Sequence, residues 1–209
     1  MLIGVDLDNT IICYDKVFYD VAFEHGWISC NTPKSKEVIK NKIISGLGND
    51  IWTQLQVEVY GPRLLKAEAF PDAINFFFAC KKANLPVNII SHKTKNPATG
   101  KPYDLRAAAF NWLKVNYFLD QLSTGLSFDS VFFYESREEK IAAIKEKKCT
   151  IFIDDLIEVF DEKTFDKSIK RILFDPNSSH LGQKNYPSAQ NWIDIKTIVS
   201  SITGLTLNE

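Results

Sequence analysis

The sequence is poor in the residues that mark disulfide-rich, zinc-binding or charge-driven proteins. Among 209 residues there are four cysteines, three histidines and one methionine, and no CxxC pair or histidine-linked zinc spacing occurs. Cys80 and Cys149 lie beside apolar runs, so we interpret them as small core residues in a reducing compartment. The formal net charge is −1 at pH 7, which gives no bulk attraction to nucleic acid or to an anionic membrane.

Long hydrophobic runs are also missing. No segment approaches the roughly 20 apolar residues that a membrane helix needs. The apolar run at residues 1–5 is too short for a signal peptide. We therefore expect a cytoplasmic protein without a membrane partner. What the chain does have is 45% hydrophobic and 12% aromatic residues, enough for a continuous core in one α/β domain or a core with a small appended lobe.

Short apolar runs alternate with segments of helical period over most of the chain. Strands are predicted at 2–6, 86–91, 130–134, 150–154 and 171–174, and helices from 71, 103 to about 115, 136 to about 147, and 188 to about 202. A loop is predicted at 96–102. Continuous apolar strands separated by helices indicate a parallel sheet covered on both faces, so the predicted fold is a Rossmann-like, doubly wound α/β sheet.

One stretch, 14–69, breaks this alternation. Apolar residues recur there at helical spacing, as in Val17 with Val21 and in Ile39 with Ile43. No strand of the sheet is needed in this stretch. We therefore predict a core formed by 1–13 and 70–209, with 14–69 inserted after the first strand as a small helical domain.

Two carboxylates, Asp6 and Asp8, follow the first predicted strand in the run Asp-Leu-Asp-Asn-Thr. In an open parallel sheet, ligands bind beyond the carboxyl ends of the strands, which is where this pair falls. A divalent cation would relieve the repulsion between the carboxylates, and oxygen ligands favour Mg²⁺. By itself the pair could equally be an acidic turn or helix cap.

Polar residues also follow three other predicted strands. Ser91 ends the second, the fourth ends at Asp154 and Asp155, and the helix after the third carries Lys140. A hydroxyl, a lysine and a second acidic pair therefore share one edge of the predicted sheet with the first pair. This arrangement indicates one site for a metal ion and an anionic substrate rather than several unrelated turns.

The order and placement of these residues resemble the four motifs of the haloacid dehalogenase (HAD) superfamily. Motif one matches the run from Asp6 to Thr10, motif two Ser91, motif three Lys140, and motif four the pair Asp154 and Asp155. The matched span runs from 6 to 155, most of the chain. The motif-one pattern at the end of an apolar N-terminal strand is fairly specific, whereas a serine after a strand is commonplace.

The resemblance implies a Mg²⁺-dependent phosphatase that acts on a small-molecule phosphomonoester. Asp6 would attack phosphorus and form an aspartyl-phosphate, and Asp8 would move the proton. Ser91 and Lys140 would bind the phosphoryl oxygens. Mg²⁺ would be held by Asp6, the backbone carbonyl of Asp8 and the motif-four pair, with Asp154 as the direct ligand and Asp155 as the water-mediated or orienting one.

An acid at position 8 distinguishes phosphatases from the dehalogenase branch of the superfamily, since a halide leaves without being protonated. Insertions after motif one act as caps in this superfamily, which gives 14–69 a role in covering the site and contacting the leaving group. Arg63 and Lys93 are predicted to contact substrate, since the planar guanidinium of Arg63 suits a carboxylate or a second phosphate, and Lys93 lies in a basic loop beside the phosphate site. The run Ser91-His-Lys-Thr, with the later Tyr103-Asp104-Leu105, is similar to relatives found among sugar-modifying gene sets, which favours a phosphosugar as the substrate.

Two other functions use the same fold. A phosphotransferase or phosphomutase needs the same four motifs and differs in whether water reaches the aspartyl-phosphate. A non-catalytic binding module is disfavoured because it would have lost at least one motif residue, and Asp6, Asp8, Ser91 and Lys140 are all present.

Overall fold

A six-stranded sheet forms the centre of the molecule in the computed structural model, which describes residues 1–99, 103–180 and 186–207. The described residues contain two short 3₁₀ helices, Leu64–Lys66 and Phe128–Ser130, in addition to the strands and α-helices. In chain order the strands and α-helices are β1 (Ile3–Val5), β2 (Ile12–Cys13), α1 (Asp15–Glu24), α2 (Lys36–Leu47), α3 (Asn49–Tyr60), β3 (Glu68–Ala69), α4 (Ala73–Lys82), β4 (Val87–His92), α5 (Leu105–Val115), β5 (Val131–Tyr134), α6 (Arg137–Glu146), β6 (Ile151–Asp154), α7 (Ile157–Asp161), β7 (Lys170–Phe174), β8 (Ser188–Ala189) and α8 (Trp192–Thr203).

The strand order is β5–β4–β1–β6–β7–β8, and every neighbouring pair is parallel. All residues of the two central strands, β1 and β6, are buried, because helices cover both faces of the sheet. Within β1 the side chain must be absent at Gly4, since a Cβ there would lie 2.5 Å from the Phe152 ring. The predicted Rossmann-like α/β fold is confirmed.

The last predicted helix begins later than expected. Ser188 and Ala189 form β8 on the edge of the sheet, paired with Leu173 and Phe174. Helix α8 starts only after Asn191, whose side chain accepts a hydrogen bond from the backbone N–H of Asp194. A two-residue strand is too short to produce a readable alternation in the sequence. The predicted loop at 96–102 lies partly outside the described residues, and 96–99 contain neither helix nor strand.

Helices α1, α2 and α3 make up most of the stretch 14–69. They bury apolar side chains against one another, and the rings of Phe18 and Trp52 stack with centroids 5.0 Å apart. The stretch leaves and rejoins the sheet through β2 and β3, which pair antiparallel with Ile12 opposite Ala69. This two-stranded ladder was not predicted. It holds the two ends of the insertion together, while the division into core and cap domains stays a prediction.

Trp192, on α8, joins the core to the loop that follows β1. Its buried ring contacts those of Phe76 and Phe174, and its indole N–H donates a hydrogen bond of 3.1 Å to the backbone oxygen of Thr10. Trp192 therefore ties the loop that carries the acidic residues to the hydrophobic core. Across the described ranges, none of the helices combines the length and apolar character required to cross a lipid bilayer.

Candidate active site

Lys140 links two carboxylates at the centre of the sheet edge. Its ammonium lies 2.6 Å from Asp6 Oδ1 and 2.6 Å from Asp154 Oδ2, and all three side chains are almost fully buried. The parallel pairing of β1 with β6 sets these positions, because it places the ends of both strands at the same level. The start of α6, capped by Ser136, directs Lys140 between them.

Asp154 and Asp155 have different surroundings. Asp154 is fully buried and both of its carboxylate oxygens accept hydrogen bonds, one from Lys140 and one of 2.9 Å from the backbone N–H of Leu156. Asp155 is partly exposed and accepts a longer hydrogen bond of 3.3 Å from Thr10 Oγ1. Each carboxylate oxygen of Asp154 thus accepts a short hydrogen bond, whereas Asp155 is held by a single longer one.

One carboxylate oxygen each of Asp6, Asp154 and Asp155 lies within 4.8 Å of the other two. Burial raises the pKa of Asp6 to about 7, with contributions from Asp154 and Asp8, although Lys140 lowers it. Burial and the two neighbouring carboxylates also raise the pKa of Asp155. The single ammonium of Lys140 therefore does not balance the charge of the three carboxylates. The all-oxygen donor set fits a hard divalent cation such as Mg²⁺.

Asp8 is held by two side chains. The hydroxyl of Tyr14 donates to Asp8 Oδ1 at 2.5 Å, and the ammonium of Lys93 lies 2.6 Å from Asp8 Oδ2. Burial by itself would raise the pKa of Asp8, but Lys93 and Tyr14 lower it below the ordinary value. Asn9 turns the chain directly afterwards with a φ of +59°, a left-handed conformation that asparagine tolerates. The Asp8 carboxylate is therefore fixed in position beside Asp6.

Ser91 lies at the end of β4, the neighbour of β1 on the side away from β6. Its hydroxyl is buried and has no hydrogen-bond partner among the residues that the structure describes. Leaving a buried hydroxyl unpaired costs free energy, and most buried polar groups in proteins are paired. The hydroxyls of Tyr186 and Ser188 are also unpaired among the described residues, but only that of Ser91 lies on the strand next to Asp6. This orphan hydroxyl is the kind of group that a phosphoryl oxygen would satisfy.

A cavity of about 300 Å³ lies between α2 of the insertion and the loops that follow β6 and β7. Asn9 and Asp155 line it on the core side, and Lys36 lines it on the side of the insertion. The Lys36 ammonium donates a 3.1 Å hydrogen bond to Asn9 Oδ1. Burial by itself lowers the pKa of Lys36, but Tyr60, Asp155 and Asp8 raise it above the ordinary value, so the group is a cation at neutral pH.

The structure thus brings Asp6, Asp8, Lys140, Asp154 and Asp155 together, with Ser91 on the adjacent strand. It does not bring Arg63 to this site. The Arg63 guanidinium pairs with Glu24 at 2.7 Å and Glu58 at 3.1 Å and does not line the cavity, so two carboxylates already occupy the group that was predicted to bind substrate.

Lys93 is placed differently from the prediction. It is buried and its ammonium pairs with Asp8 rather than pointing at a distal part of a ligand, because the residue follows directly on the strand that neighbours β1. Sequence reasoning missed Tyr14 and Lys36. Both lie in the helical insertion, where no sequence motif marks them. The available signal was the position of Lys36 at the first residue of α2.

Comparisons with known proteins agree with this fold. No protein-family model matches the chain, and none of the curated proteins matches its sequence. Among solved structures, a HAD family hydrolase from Deinococcus radiodurans, determined with bound phosphate and sodium, is similar over 99% of this chain and 98% of its own, with 12% identity and a TM-score of 0.58. The candidate HAD-hydrolase YfnB from Bacillus subtilis, bound to magnesium, is similar over 95% and 98%, with 12% identity and a TM-score of 0.56.

A protein described as a dehalogenase is also similar, over 99% of this chain and 97% of its own, with 12% identity and a TM-score of 0.53. Identities this low establish the architecture and leave the reaction to be argued from the site. The chain has the fold of the haloacid dehalogenase superfamily of hydrolases.

Proposed function

We propose that this chain is a cytoplasmic, Mg²⁺-dependent phosphatase that hydrolyses a small-molecule phosphomonoester through an aspartyl-phosphate on Asp6. The observation that carries the proposal is the placement of Asp8. It lies two residues after Asp6 and is hydrogen-bonded by Tyr14 and Lys93. A phosphate ester needs a proton for its leaving oxygen, whereas a halide does not, so a built proton-transfer group favours phosphate chemistry over dehalogenation.

The metal would be held by the carboxylates of Asp6 and Asp155 and by the backbone carbonyl of Asp8. We assign the direct role to Asp155 rather than to Asp154 in this proposal, because both oxygens of Asp154 already accept hydrogen bonds. When bound, Mg²⁺ would supply positive charge against the oxygens of the phosphoryl group. Asp154 instead orients Lys140.

In the first step, an Asp6 carboxylate oxygen attacks phosphorus and the bond from phosphorus to the leaving oxygen breaks. Ser91 and Lys140 bind the phosphoryl oxygens, which is the positioning and charge neutralisation on which phosphoryl transfer depends. The proton for the leaving oxygen passes from the Lys93 ammonium to Asp8 Oδ2 and from Asp8 to the leaving oxygen, which leaves Lys93 neutral. The products of this step are an alcohol and aspartyl-phosphate.

In the second step, water attacks phosphorus and the acyl phosphate bond breaks, which regenerates the Asp6 carboxylate. The attacking water gives its proton to Asp8, which passes it to the neutral Lys93 amine and so restores the Asp8–Lys93 ion pair. The lowered pKa of Asp8 keeps it a carboxylate. As a carboxylate it can accept a hydrogen bond from the attacking water and hold that water in position. Helices α1 to α3 act as the cap, because Tyr14 and Lys36 reach from them to the sheet edge and limit access of bulk water.

The proposal is tested by assaying purified protein with p-nitrophenyl phosphate in the presence and absence of Mg²⁺. We expect Mg²⁺-dependent release of phosphate that is lost in Asp6→Asn, since the amide is a poor nucleophile. Asp50→Asn, which changes an exposed aspartate on α3, is the matched control and should retain activity. Wild-type-like turnover in Asp6→Asn, or release of halide from a 2-haloacid without phosphatase activity, would contradict the proposal.

A further inference from the structure

Lys36 is a cation in the cavity without a carboxylate partner. Among the described residues no carboxylate lies within ion-pair distance of its ammonium, which contacts the neutral amide oxygen of Asn9 and lies 5.7 Å from the ring centroids of Phe18 and Tyr60. Asp155 and Asp8 raise the pKa of Lys36 and keep the group charged without forming an ion pair with it. Such an ammonium is suited to binding an anion that enters the cavity.

Two of the four carboxylates that line the cavity, Asp15 and Asp175, are hydrogen-bonded to backbone N–H groups. Asp15 accepts a hydrogen bond of 2.8 Å from the backbone N–H of Lys36, at the start of α2. Asp175 accepts two, from the backbone N–H groups of Ser179 at 2.9 Å and His180 at 2.7 Å. These bonds fix both carboxylates against the backbone and partly neutralise them. The wall formed by α2 carries two lysines, Lys36 and Lys40, and one carboxylate, the exposed Glu37. Lys36 and Lys40 are the lysines that a ligand meets in the cavity.

Lys40 lines the same cavity one helical turn after Lys36. Residues four apart share a helix face, with Cβ atoms about 5–6 Å apart. Lys36 lies at the inner end of the cavity, beside Asn9, and Lys40 is exposed at its outer side. The pair forms a cationic wall that leads away from the acidic residues of the sheet edge. A ligand lying along it would extend from the phosphoryl site toward solvent.

We infer that this cavity holds the leaving group of the substrate, and that Lys36 and Lys40 select a small phosphomonoester carrying a second anionic group at its far end. The inference rests on the proposed phosphatase function and specifies its substrate class. Ser91 and Lys140 serve the transferred phosphoryl group from β4 and α6, whereas the cavity opens on the side of β6 and β7. The second anion is an oxyanion, either a carboxylate or another phosphate.

The test compares three substrates with the same three-carbon chain. They are 3-hydroxypropyl phosphate, 3-(phosphonooxy)propanoate and propane-1,3-diyl bisphosphate, which end in a hydroxyl, a carboxylate and a phosphate. We expect kcat/KM to be at least about tenfold higher for one or both anionic esters, which is the scale of one hydrogen-bonded charge pair. The better of the two identifies the kind of oxyanion.

The lysines are tested by the substrate preference of Lys36→Met and Lys40→Met. In Lys36→Met the preference for the anionic ester should fall at least about fivefold, and in Lys40→Met by a smaller factor because that side chain is exposed. Lys34→Met is the matched control. Lys34 is exposed, lies before α2 and does not line the cavity, so the preference should be unchanged. Equal kcat/KM for all three esters in the wild type would overturn the inference.

A uniform loss on all three esters in Lys36→Met would also overturn it, since Lys36 would then act on the transferred phosphoryl group. A binding measurement separates this inference from the proposed function. Titration calorimetry with the non-hydrolysable pair 4-phosphonobutanoate and 4-hydroxybutylphosphonate should show tighter binding of the carboxylate, dependent on Lys36. That preference without any turnover would reject the phosphatase and keep only the anion site at Lys36, whereas equal affinities would reject the inference.

Discussion

The ammonium of Lys93 lies 2.6 Å from Asp8 Oδ2, although the two residues are 85 positions apart in the sequence. Lys93 is buried and the Asp8 side chain is 21% exposed, so water screens this pair only in part. Tyr14 holds the other carboxylate oxygen. The three side chains thus fix the orientation of the group to which proton transfer is assigned.

Replacement of Lys93 by methionine should therefore impair turnover more than binding. We expect kcat for p-nitrophenyl phosphate to fall about 10- to 100-fold, because Asp8 loses the partner that positions it and shares its proton. Lys93→Arg should recover part of the loss. The exposed neighbour Lys95 provides the control as Lys95→Met. An unchanged kcat with a raised KM would show instead that Lys93 contacts substrate.

Replacement of Lys140 by methionine should destabilise the folded protein. The change leaves Asp6 and Asp154 as buried carboxylates without their shared counter-charge, which we expect to lower the free energy of unfolding by about 3–5 kcal/mol. Urea unfolding measures this loss. Lys145→Met, on the exposed side of the same helix, is the control.

Added Mg²⁺ should restore part of the stability of Lys140→Met, because a cation among the same carboxylates replaces the missing positive charge. The comparison is made by repeating the urea unfolding at millimolar Mg²⁺. Equal stability of Lys140→Met and wild type without metal would argue against the buried ion-pair arrangement.

Replacement of Ser91 by alanine should separate folding from binding. The hydroxyl has no partner in the described structure, so its removal should leave the melting temperature unchanged or slightly raised. Phosphate binding should weaken, with KM for p-nitrophenyl phosphate rising about tenfold. Thermal unfolding and steady-state kinetics measure the two effects. A marked loss of stability would mean that the hydroxyl has a structural role.

The two motif-four aspartates should respond differently to conversion to asparagine. Asp155→Asn should raise the Mg²⁺ concentration needed for half-maximal activity, with little change in the melting temperature, because Asp155 is partly exposed and weakly hydrogen-bonded. Asp154→Asn should lower the melting temperature, because it removes a charge that holds Lys140. The reverse pattern would assign direct metal binding to Asp154.

The sequence was sufficient to predict features that depend on neighbouring residues in the chain. Asp6 and Asp8 adjoin an apolar strand, and the strand itself was predictable because helices bury both of its faces. Parallel strands end at one edge, so a list of strand ends also gave Ser91 and Asp154 as neighbours of that pair. The short strands were not predicted, because β8 and the strands of the β2–β3 ladder have two residues each and show no recognisable alternation in the sequence.

The sequence by itself determined the fold class and the residues that follow its central strands, because burial and strand order depend on hydrophobic pattern. Only the tertiary structure decided what each polar group contacts. It paired Arg63 with Glu24 and Glu58, turned Lys93 onto Asp8, and brought Lys36 from the insertion to Asn9, 27 residues away. Such contacts depend on how helices dock on the sheet, and long flexible cations carry no pattern in the sequence that reports their direction.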